Sequence, residues 1–261
     1  GEQLEESVSW ETMLEQGSQV SDEQLLSRSD QVNVEDRMML AYTSGTTGHP
    51  KGVIHCHKPV RNTYERAMLL GHNCNDVHLS YLPLFHAYGF SEVAMMVALT
   101  GGSQVLFDVF EPAQVLDAVE AEGGTVLHGF DSHWADLIRE QQQRERDVTS
   151  LRVGTLPAGM ESTVPIARQV QDVFCPTTSG FGMSETWAFI ASSHVTNTLE
   201  QRTEASGYPM YGIEFEVRDL DQGHVLGENE QGALYVRGYT VTSGYWGKPE
   251  ATAEVLDDDG W

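Results

Sequence analysis

The sequence is poor in lysine and in positive charge as a whole. Its 261 residues include only three lysines, Lys51, Lys58 and Lys248, and the 15 basic side chains are outnumbered by 39 acidic ones, for a net charge of −24. A field of this sign repels nucleic acid and anionic lipid surfaces, so neither is expected as a partner. It also repels ATP, so an anion site must rely on local groups: backbone amides, one well-placed cation or a bound metal. Whether the acidic excess reflects salt adaptation or an ordinary acidic protein stays open.

The sequence is also poor in cysteine and has no long apolar run. Cys56, Cys74 and Cys175 are odd in number and form no CxxC pair, so we expect a reducing compartment and no disulfide framework. No apolar run approaches the roughly 20 residues of a membrane span, so no transmembrane segment is expected. The acidic start, GEQLEESVSW, lacks the basic and apolar regions of a signal peptide. These absences predict a cytoplasmic protein.

Three segments of the chain differ in their residue pattern. Residues 1–36 form a polar, acidic lead-in with two short helical patterns, which we expect on the surface. In residues 37–192 apolar runs alternate with helical patterns, which predicts an α/β fold with a mostly parallel, helix-covered sheet. Residues 193–261 alternate apolar and polar positions between turn signals, which is typical of a β-rich, antiparallel segment.

Several elements can be predicted individually. The apolar run RMMLAY (Arg37–Tyr42) predicts a buried strand. The stretch EPAQVLDAVEAEGG predicts an amphipathic helix with Val115, Leu116 and Val119 on one face and a glycine stop. The stretch TVTSGYW (240–246) has the alternation of an antiparallel strand.

The most informative stretch is TSGTTGHPKG, Thr43–Gly52. Successive glycines let the backbone turn its N–H groups inward around an anion, and Lys51 adds a positive charge. The stretch is not a P-loop, because Gly45 and Gly48 are too close in sequence, Pro50 precedes Lys51, and a strand pattern follows where a helix would begin. A P-loop phosphotransferase is therefore not expected.

This stretch closely resembles the phosphate loop of the adenylate-forming enzymes, which include acyl-CoA synthetases, luciferases and peptide-synthetase adenylation domains. Further segments are similar to motifs of that family in the same order: YLPLFHAYG (Tyr81–Gly89), GFGMSET (Gly180–Thr186), ASGYPMYGIEFEV (Ala205–Val217) and the stretch from GALYVRG to DDDGW (Gly232–Trp261). The last two are most similar to fatty-acyl-CoA synthetases. The resemblance implies a fatty acid–CoA ligase that uses ATP, Mg²⁺ and coenzyme A, with a small carboxylic acid as substrate.

The resemblance implies specific nucleotide contacts. The β- and γ-phosphates would be held by Thr43, Ser44, Gly45, Thr46, Thr47, Gly48 and Lys51. The rest of the nucleotide would contact Ala158, Gly159, Gly180, Phe181, Gly182, Met183 and Ser184. Phe181 would stack on adenine, Ser184 replaces the family's usual threonine, and Glu185 would hold Mg²⁺, a cation that prefers oxygen ligands. Lys51, His86, Ser184 and Glu185 would take part in catalysis.

The resemblance also implies an acyl pocket formed by His86, Gly129, Phe130 and Trp187. His86 would lie beside the acyl carboxylate, or alternatively serve a structural role. Where similar enzymes usually carry Gly-Val-Pro-Thr, this sequence has Gly-Phe-Asp-Ser. Phe130 and Asp131 would then shorten or reshape the pocket, or else form a surface turn in which Asp131 caps the next helix. The length of the acyl chain stays open.

A second, metal-binding interpretation is not supported by spacing. The chain concentrates six potential ligands in a short region, but they do not match the paired spacing of zinc sites. They are His55, Cys56, His57, His72, Cys74 and His78. We therefore expect no metal site there.

The family pattern continues beyond DDDGW with a ribose-binding Asp, a hinge and a small domain that carries a second essential lysine. We therefore expect this chain to be part of a longer enzyme and to have little adenylation activity alone. Two alternatives remain within reach. The acceptor or substrate could be a carrier-protein thiol or an amino acid, for which Asp131 would pair with an α-amine. The protein could instead be a non-catalytic nucleotide- or acyl-binding relative. The oligomeric state stays open.

Overall fold

The computed structural model describes residues 7–43 and 50–261. The chain divides into two compact units, residues 1–36 and residues 37–261. The predicted phosphate contacts Ser44, Gly45, Thr46, Thr47 and Gly48 lie outside the described residues. No helix of the described ranges is long and apolar enough to cross a membrane.

The described chain forms short helices throughout its length. The α-helices are α1 (Trp10–Gly17), α2 (Asp22–Ser29), α3 (Val60–Leu69), α4 (Ala87–Gly89), α5 (Met96–Thr100), α6 (Pro112–Glu122), α7 (Asp131–Gln143), α8 (Val164–Val173), α9 (Leu199–Thr203) and α10 (Pro249–Ala253). A π-helical segment, Phe90–Met95, joins α4 to α5, and Ser184–Thr186 form a 3₁₀ turn.

The strands are equally short. They are β1 (Arg37–Thr43), β2 (Lys51–Cys56), β3 (Val77–Ser80), β4 (Ser103–Leu106), β5 (Val126–His128), β6 (Val153–Thr155), β7 (Thr177–Thr178), β8 (Gly180–Met183), β9 (Ala188–Ser192), β10 (Tyr208–Pro209), β11 (Ile213–Arg218) and β12 (Ala233–Gly238).

The first unit consists of the two predicted surface helices. Each begins at a serine whose side chain accepts a hydrogen bond from the backbone: Ser9 caps α1 and Ser21 caps α2. Such caps satisfy amide groups that have no partner inside the helix. Every described residue of this unit is exposed, as the acidic composition predicts.

The second unit contains the predicted parallel sheet. Its five strands lie in the order β4–β3–β5–β6–β7, and every neighbouring pair is parallel. Adjacent residues of β5 enter different cores: Val126 packs with α3 and α5 residues, whereas Leu127 packs with α6, α7 and α8 residues. Because successive side chains of a strand point to opposite faces, helices cover both faces of the sheet. The predicted fold class is confirmed.

Helix α6 shows how the sequence produces this packing. Val115, Leu116 and Val119 are fully buried on its one apolar face, as the helical spacing predicts. The helix ends where Gly123 adopts φ +64°, a left-handed conformation that has no steric penalty for glycine.

The remaining strands pair antiparallel in three small sheets: β1 with β2, β8 with β9 and β10, and β11 with β12. The predicted burial of Arg37–Tyr42 is wrong, since Ala41 alone in that run is buried. The predicted strand at 240–246 is also wrong. That stretch makes one isolated bridge, Tyr245 to Val53, and is bounded by turns at 239–240 and 246–247. The proposed division after Ser192 stays a prediction.

Candidate active site

A cavity of about 910 Å³ opens where the parallel sheet meets the antiparallel strands. Its lining is Thr43, Lys51, His86, Ala87, Tyr88, Phe130, Pro157, Ala158, Gly159, Met160, Gly180, Phe181, Gly182, Met183, Ser184, Glu185, Ala188, Phe189, Ser206, Tyr245 and Val255. Most of the predicted site residues that the structure describes therefore share one cavity, although they come from segments far apart in sequence.

Both ends of the glycine-rich stretch reach this cavity. Thr43 ends β1 and Lys51 begins β2, and the two are direct partners in the antiparallel register. The Nζ atom of Lys51 lies 4.8 Å from the ring centroid of Tyr245. A cation over an aromatic face is attracted to the ring, which fixes the direction of this side chain. The pairing of β1 with β2 thus places one positive charge at the cavity.

The predicted adenine-side residues follow on β8. Phe181 lines the cavity, and the glycines beside it pack against β9. A Cβ atom at Gly182 would lie 1.4 Å from the carbonyl oxygen of Ala188, and one at Gly180 would lie 2.6 Å from the carbonyl oxygen of Ala191. These two positions therefore require glycine because the neighbouring backbone approaches them, a reason that the sequence alone did not show.

Glu185 is held from two sides at the cavity. The Tyr245 hydroxyl donates a 2.8 Å hydrogen bond to Oε1 of Glu185, and the amide of Thr242 donates to its carbonyl oxygen. Burial, followed by the Glu185 carboxylate, raises the pKa of Tyr245 to about 12. The phenol therefore remains a donor at neutral pH. Nε2 of His55 also lies 2.7 Å from the Ser184 carbonyl oxygen, which holds the same turn.

The chain reverses sharply between Glu185 and Phe189. Trp187 and Ala188 both have φ +63°, a conformation that residues with a Cβ atom rarely adopt. Because of this reversal, Glu185 and Phe189 line the same cavity on consecutive elements. The strain is located between the candidate metal ligand and the apolar part of the site, as is common at functional sites.

Trp187, which was predicted for the acyl pocket, does not line this cavity. Its side chain is buried, Nε1 donates a 2.9 Å hydrogen bond to Oγ1 of Thr63, and the ring lies edge-on to His55. Gly129 is likewise absent from the lining. A Cβ atom there would lie 2.9 Å from the hydroxyl of Tyr81, so this glycine permits close packing behind the cavity.

His86 lines the cavity beside Tyr88 and Phe130. It caps α4, with Nδ1 accepting a 3.1 Å hydrogen bond from the amide of Tyr88. Nδ1 is thus the acceptor, which leaves Nε2 as the protonated nitrogen of the neutral ring. Burial lowers the pKa of His86, so the ring is neutral at physiological pH. The same side chain therefore caps α4 and lines the cavity.

Phe130 and Asp131 differ in whether they line the cavity. Phe130 lines the cavity, and its ring centroid lies 6.3 Å from that of His86. Asp131 begins α7, where its Oδ1 accepts a hydrogen bond from the amide of Ser132, and it is not among the lining residues. Of the two predicted pocket-shaping residues, the structure places only Phe130 at the pocket.

The loop after β6 supplies the predicted contacts Ala158 and Gly159, and both line the cavity. The amide of Ala158 donates to Oγ of Ser179. Gly159 has φ +110°, which a residue with a side chain could hardly adopt. The sequence of this loop differs from the family pattern, but its residues Ala158 and Gly159 still line the cavity.

The residues around Glu185 fit a magnesium ion. One oxygen of the Glu185 carboxylate accepts from Tyr245, which leaves the other available, and the hydroxyl-bearing Thr43 and Ser184 line the same cavity. Carboxylate and hydroxyl oxygens together with phosphate are a donor set that Mg²⁺ prefers. In a chain of net charge −24, such a cation would also offset the repulsion of a polyphosphate.

A second group of possible ligands lies on the opposite end of the sheet. His72, Asp76 and His78 bring ligand atoms within 4.8 Å of one another, which their spacing in sequence did not predict. The Asp76 carboxylate already accepts hydrogen bonds from Arg152, from the hydroxyl of Thr125 and from the amide of Asn73. It is therefore fully engaged with hydrogen-bond donors and is a poor candidate for a metal ligand.

Comparison with known proteins identifies a family and several relatives. Residues 2–246 match the family described as AMP-binding enzyme. The chain is 29% identical to the acyl-CoA ligase sidI of Aspergillus fumigatus, over 96% of this chain and 43% of that protein. It is 31% identical to a feruloyl-CoA synthase of an Amycolatopsis species, over 88% of this chain and 46% of that protein. The chain thus spans less than half the length of these relatives.

A solved structure shows the same architecture. The ATP-bound RpMatB-BxBclM chimera matches with a TM-score of 0.78 at 25% identity, covering 87% of this chain and 44% of that one.

Proposed function

The chain belongs to the AMP-binding enzyme family, and from that premise we propose that it forms the nucleotide- and acid-binding part of an ATP-dependent acid–CoA ligase for a fatty or related carboxylic acid. The observation that carries the proposal is the shared cavity. It joins a cation, Lys51, a carboxylate, Glu185, and an aromatic ring, Phe181, beside an apolar region. This is the set of groups that a nucleotide and an acid would need in one place.

The proposed reaction has two steps. A carboxylate oxygen of the acid attacks the α-phosphorus of ATP, the bond to the β-phosphate breaks, and pyrophosphate leaves. The sulfur of coenzyme A then attacks the acyl carbon, the carbon–oxygen bond to AMP breaks, and the thiol gives up its proton. No covalent bond to the protein is needed, so the contribution of the protein is alignment of the reactants and stabilisation of charge.

Lys51 and Glu185 act at the phosphate end. The position of Lys51 over the Tyr245 ring directs its charge to the cavity, where it would neutralise the leaving pyrophosphate. Glu185, with Ser184 and Thr43, would hold Mg²⁺, which when bound supplies further positive charge to the phosphate oxygens. Phe181 would stack on adenine, as exposed aromatic faces do with planar bases.

His86 acts at the junction of the phosphate and apolar parts. Its Nδ1 accepts a backbone hydrogen bond and its ring is neutral, so the Nε2 proton can be donated to a carboxylate oxygen of the acid. This contact would orient the acid before attack. A neutral donor is suited to the task because it orients the carboxylate and leaves it nucleophilic.

Two alternatives are less well supported. An amino-acid substrate would require a carboxylate near its α-amine, but Asp131 does not line the cavity. A non-catalytic binder would not need a metal carboxylate, yet Glu185 is both at the cavity and held by two hydrogen-bond donors. A carrier-protein thiol in place of coenzyme A remains the nearest rival.

The proposal is tested on the full-length protein by AMP release from a panel of carboxylic acids, with and without coenzyme A. We expect release that requires an acid and that is accelerated by coenzyme A. The substitution Lys51→Met removes a positive charge that would stabilise the transition state, and it should lower the rate of AMP release about a hundredfold. Arg139→Gln removes a cation from the exposed face of α7 and should leave the rate unchanged. An acid-independent rate, or equal rates in the two variants, would refute the proposal. We expect the isolated chain to show little exchange of pyrophosphate into ATP.

A further inference from the structure

Three aromatic rings line the cavity on its apolar side. Tyr88 follows the cap of α4, Phe130 precedes α7, and Phe189 lies on β9. The ring centroid of Tyr88 lies 5.0 Å from that of Phe130 and 5.0 Å from that of Phe189, with interplanar angles of 76° and 72°. These edge-to-face contacts make one continuous surface, which we call the aromatic wall (Tyr88, Phe130 and Phe189).

The centre of the wall is fixed by hydrogen bonds. The Tyr88 side chain is 3% exposed, and its hydroxyl lies 2.5 Å from Oγ1 of Thr155 and 3.2 Å from the carbonyl oxygen of the same residue. Oγ1 of Thr155 is in turn 2.8 Å from Nδ1 of His128. Swinging Tyr88 aside would deprive its own buried hydroxyl of both contacts to Thr155, which is unfavourable. Tyr88 therefore acts as a rigid stop.

The third ring is supported from behind by charge. The guanidinium carbon of Arg66 lies 4.6 Å from the ring centroid of Phe189, and Nε of Arg66 donates a 2.8 Å hydrogen bond to Glu92. Both charged side chains are buried. A long acyl chain could pass Phe189 only by displacing a buried ion pair, which strongly opposes such a path.

These observations bear on the acyl group, and the inference rests on the proposed function. We propose that the aromatic wall closes the acyl end of the cavity and selects compact aryl carboxylic acids over long aliphatic acids. The cavity of about 910 Å³ would hold the nucleotide as well as the acid, so only part of its volume is left for the acid. A flat ring can pack edge-to-face or offset against the wall, whereas an extended alkyl chain meets fixed rings.

The direct test compares three acids on the full-length protein by exchange of pyrophosphate into ATP. The probes are cinnamate, octanoate and palmitate. We expect kcat/KM for cinnamate to exceed that for palmitate by at least about a hundredfold, and that for octanoate by at least about tenfold. If palmitate is the best of the three, the inference is overturned while the proposed function stands. An equal rate for octanoate and cinnamate overturns the aryl preference. If no acid supports exchange, the proposed function itself fails.

A pair of variants locates the selectivity. Phe130 is the wall member that is not in the core, with 37% of its side chain exposed, so Phe130→Ala should fold. It should open the pocket and raise the octanoate-to-cinnamate ratio of kcat/KM about tenfold. The matched control is Phe85→Ala, at a ring that is 84% exposed and outside the cavity lining, and its ratio should equal that of the wild type. An unchanged ratio in Phe130→Ala, or the same change in both variants, would contradict the assignment.

Discussion

The hydroxyl of Tyr245 donates a 2.8 Å hydrogen bond to Oε1 of Glu185, although 60 positions separate the two residues. Tyr245→Phe removes this bond and keeps the ring beneath Lys51. A hydrogen bond to a charged group contributes about 1.5–3 kcal/mol. We therefore expect the magnesium concentration for half-maximal ATP binding to rise about tenfold to a hundredfold, measured by titration of nucleotide binding. The control is Tyr211→Phe, at an exposed ring outside the cavity. Equal titration curves for the two variants would show that the bond is irrelevant to the metal.

Gly182→Ala should separate β8 from β9. The added methyl group would lie 1.4 Å from the carbonyl oxygen of Ala188, and backbone cannot move aside without breaking the strand pair. We expect the free energy of unfolding to fall by about 3 kcal/mol or more, together with loss of nucleotide binding. Gly17→Ala is the control, since nothing lies within 4 Å of its added methyl. A stable, nucleotide-binding Gly182→Ala protein would mean that the two strands are not paired as described.

The buried histidines should make the fold sensitive to acid. Burial is the first cause that lowers the pKa of His72 to about 3 and that of His78 to about 4, with the Arg152 charge adding to the shift and the Asp76 charge opposing it. His128, beside them, also has its pKa lowered well below its usual value by burial. An unfolded histidine has a pKa of about 6.5. Above pH 6.5 these histidines are neutral in both the folded and the unfolded protein. As the pH falls below 6.5, only the unfolded protein takes up protons at these positions, so the free energy of unfolding decreases.

The consequence can be measured by urea unfolding at pH 7.5 and pH 5.0. Each such histidine should remove about 2 kcal/mol of stability between pH 6.5 and pH 5. His78→Leu eliminates one of these protonation sites, so its loss of stability over this range should be smaller by that amount. His224→Leu, at an exposed position, should retain the full pH dependence. The same acid sensitivity in both variants would contradict the burial of a neutral His78.

The buried ion pair behind Phe189 should be costly to break on one side only. Arg66→Met leaves the buried Glu92 without its charged partner, and we expect the free energy of unfolding to fall by about 3–5 kcal/mol. The double variant Arg66→Met with Glu92→Leu should recover most of this loss, because no uncompensated charge remains. An exposed pair gives the comparison: Arg61→Met, which breaks the bond to Glu65, should change stability by less than about 1 kcal/mol. If the double variant is as unstable as Arg66→Met, the pair is not the source of the effect.

The pattern of apolar residues and glycines along the sequence was sufficient to predict much of the fold. The helix around Val115, Leu116 and Val119 and its end at Gly123 follow from spacing and from glycine stereochemistry, both of which are properties of a few neighbouring residues. The alternation of such helices with apolar runs then predicts a parallel sheet. The ordered family motifs pointed to segments far apart in sequence, and Thr43, Lys51 and Gly180–Glu185 from those segments line one cavity. Their roles toward a nucleotide stay a prediction.

What the sequence could not show depends on contacts between distant segments. Arg37–Tyr42 is apolar yet largely exposed, because composition does not reveal what packs on a strand. Trp187 lies next to the predicted site in sequence, but the reversal at its own backbone turns its ring into the core. Tyr88 is one tyrosine among nine, and its role at the wall rests on Thr155, 67 positions later. No local signal distinguishes it from the others.

Trp187 and Ala188, both in the left-handed conformation, form the short connection between Glu185 and Phe189, which line the same cavity. Glu185, which would hold the metal, and Phe189, which would contact the acid, are four positions apart across this reversal. If the backbone moves at Glu185 or at Phe189, the three residues between them can absorb little of the movement. The backbone at the other residue should therefore move as well. Thermodynamically, occupancy of the proposed acid site and of the proposed metal–nucleotide site should be linked, and each ligand should change the affinity for the other by the same factor.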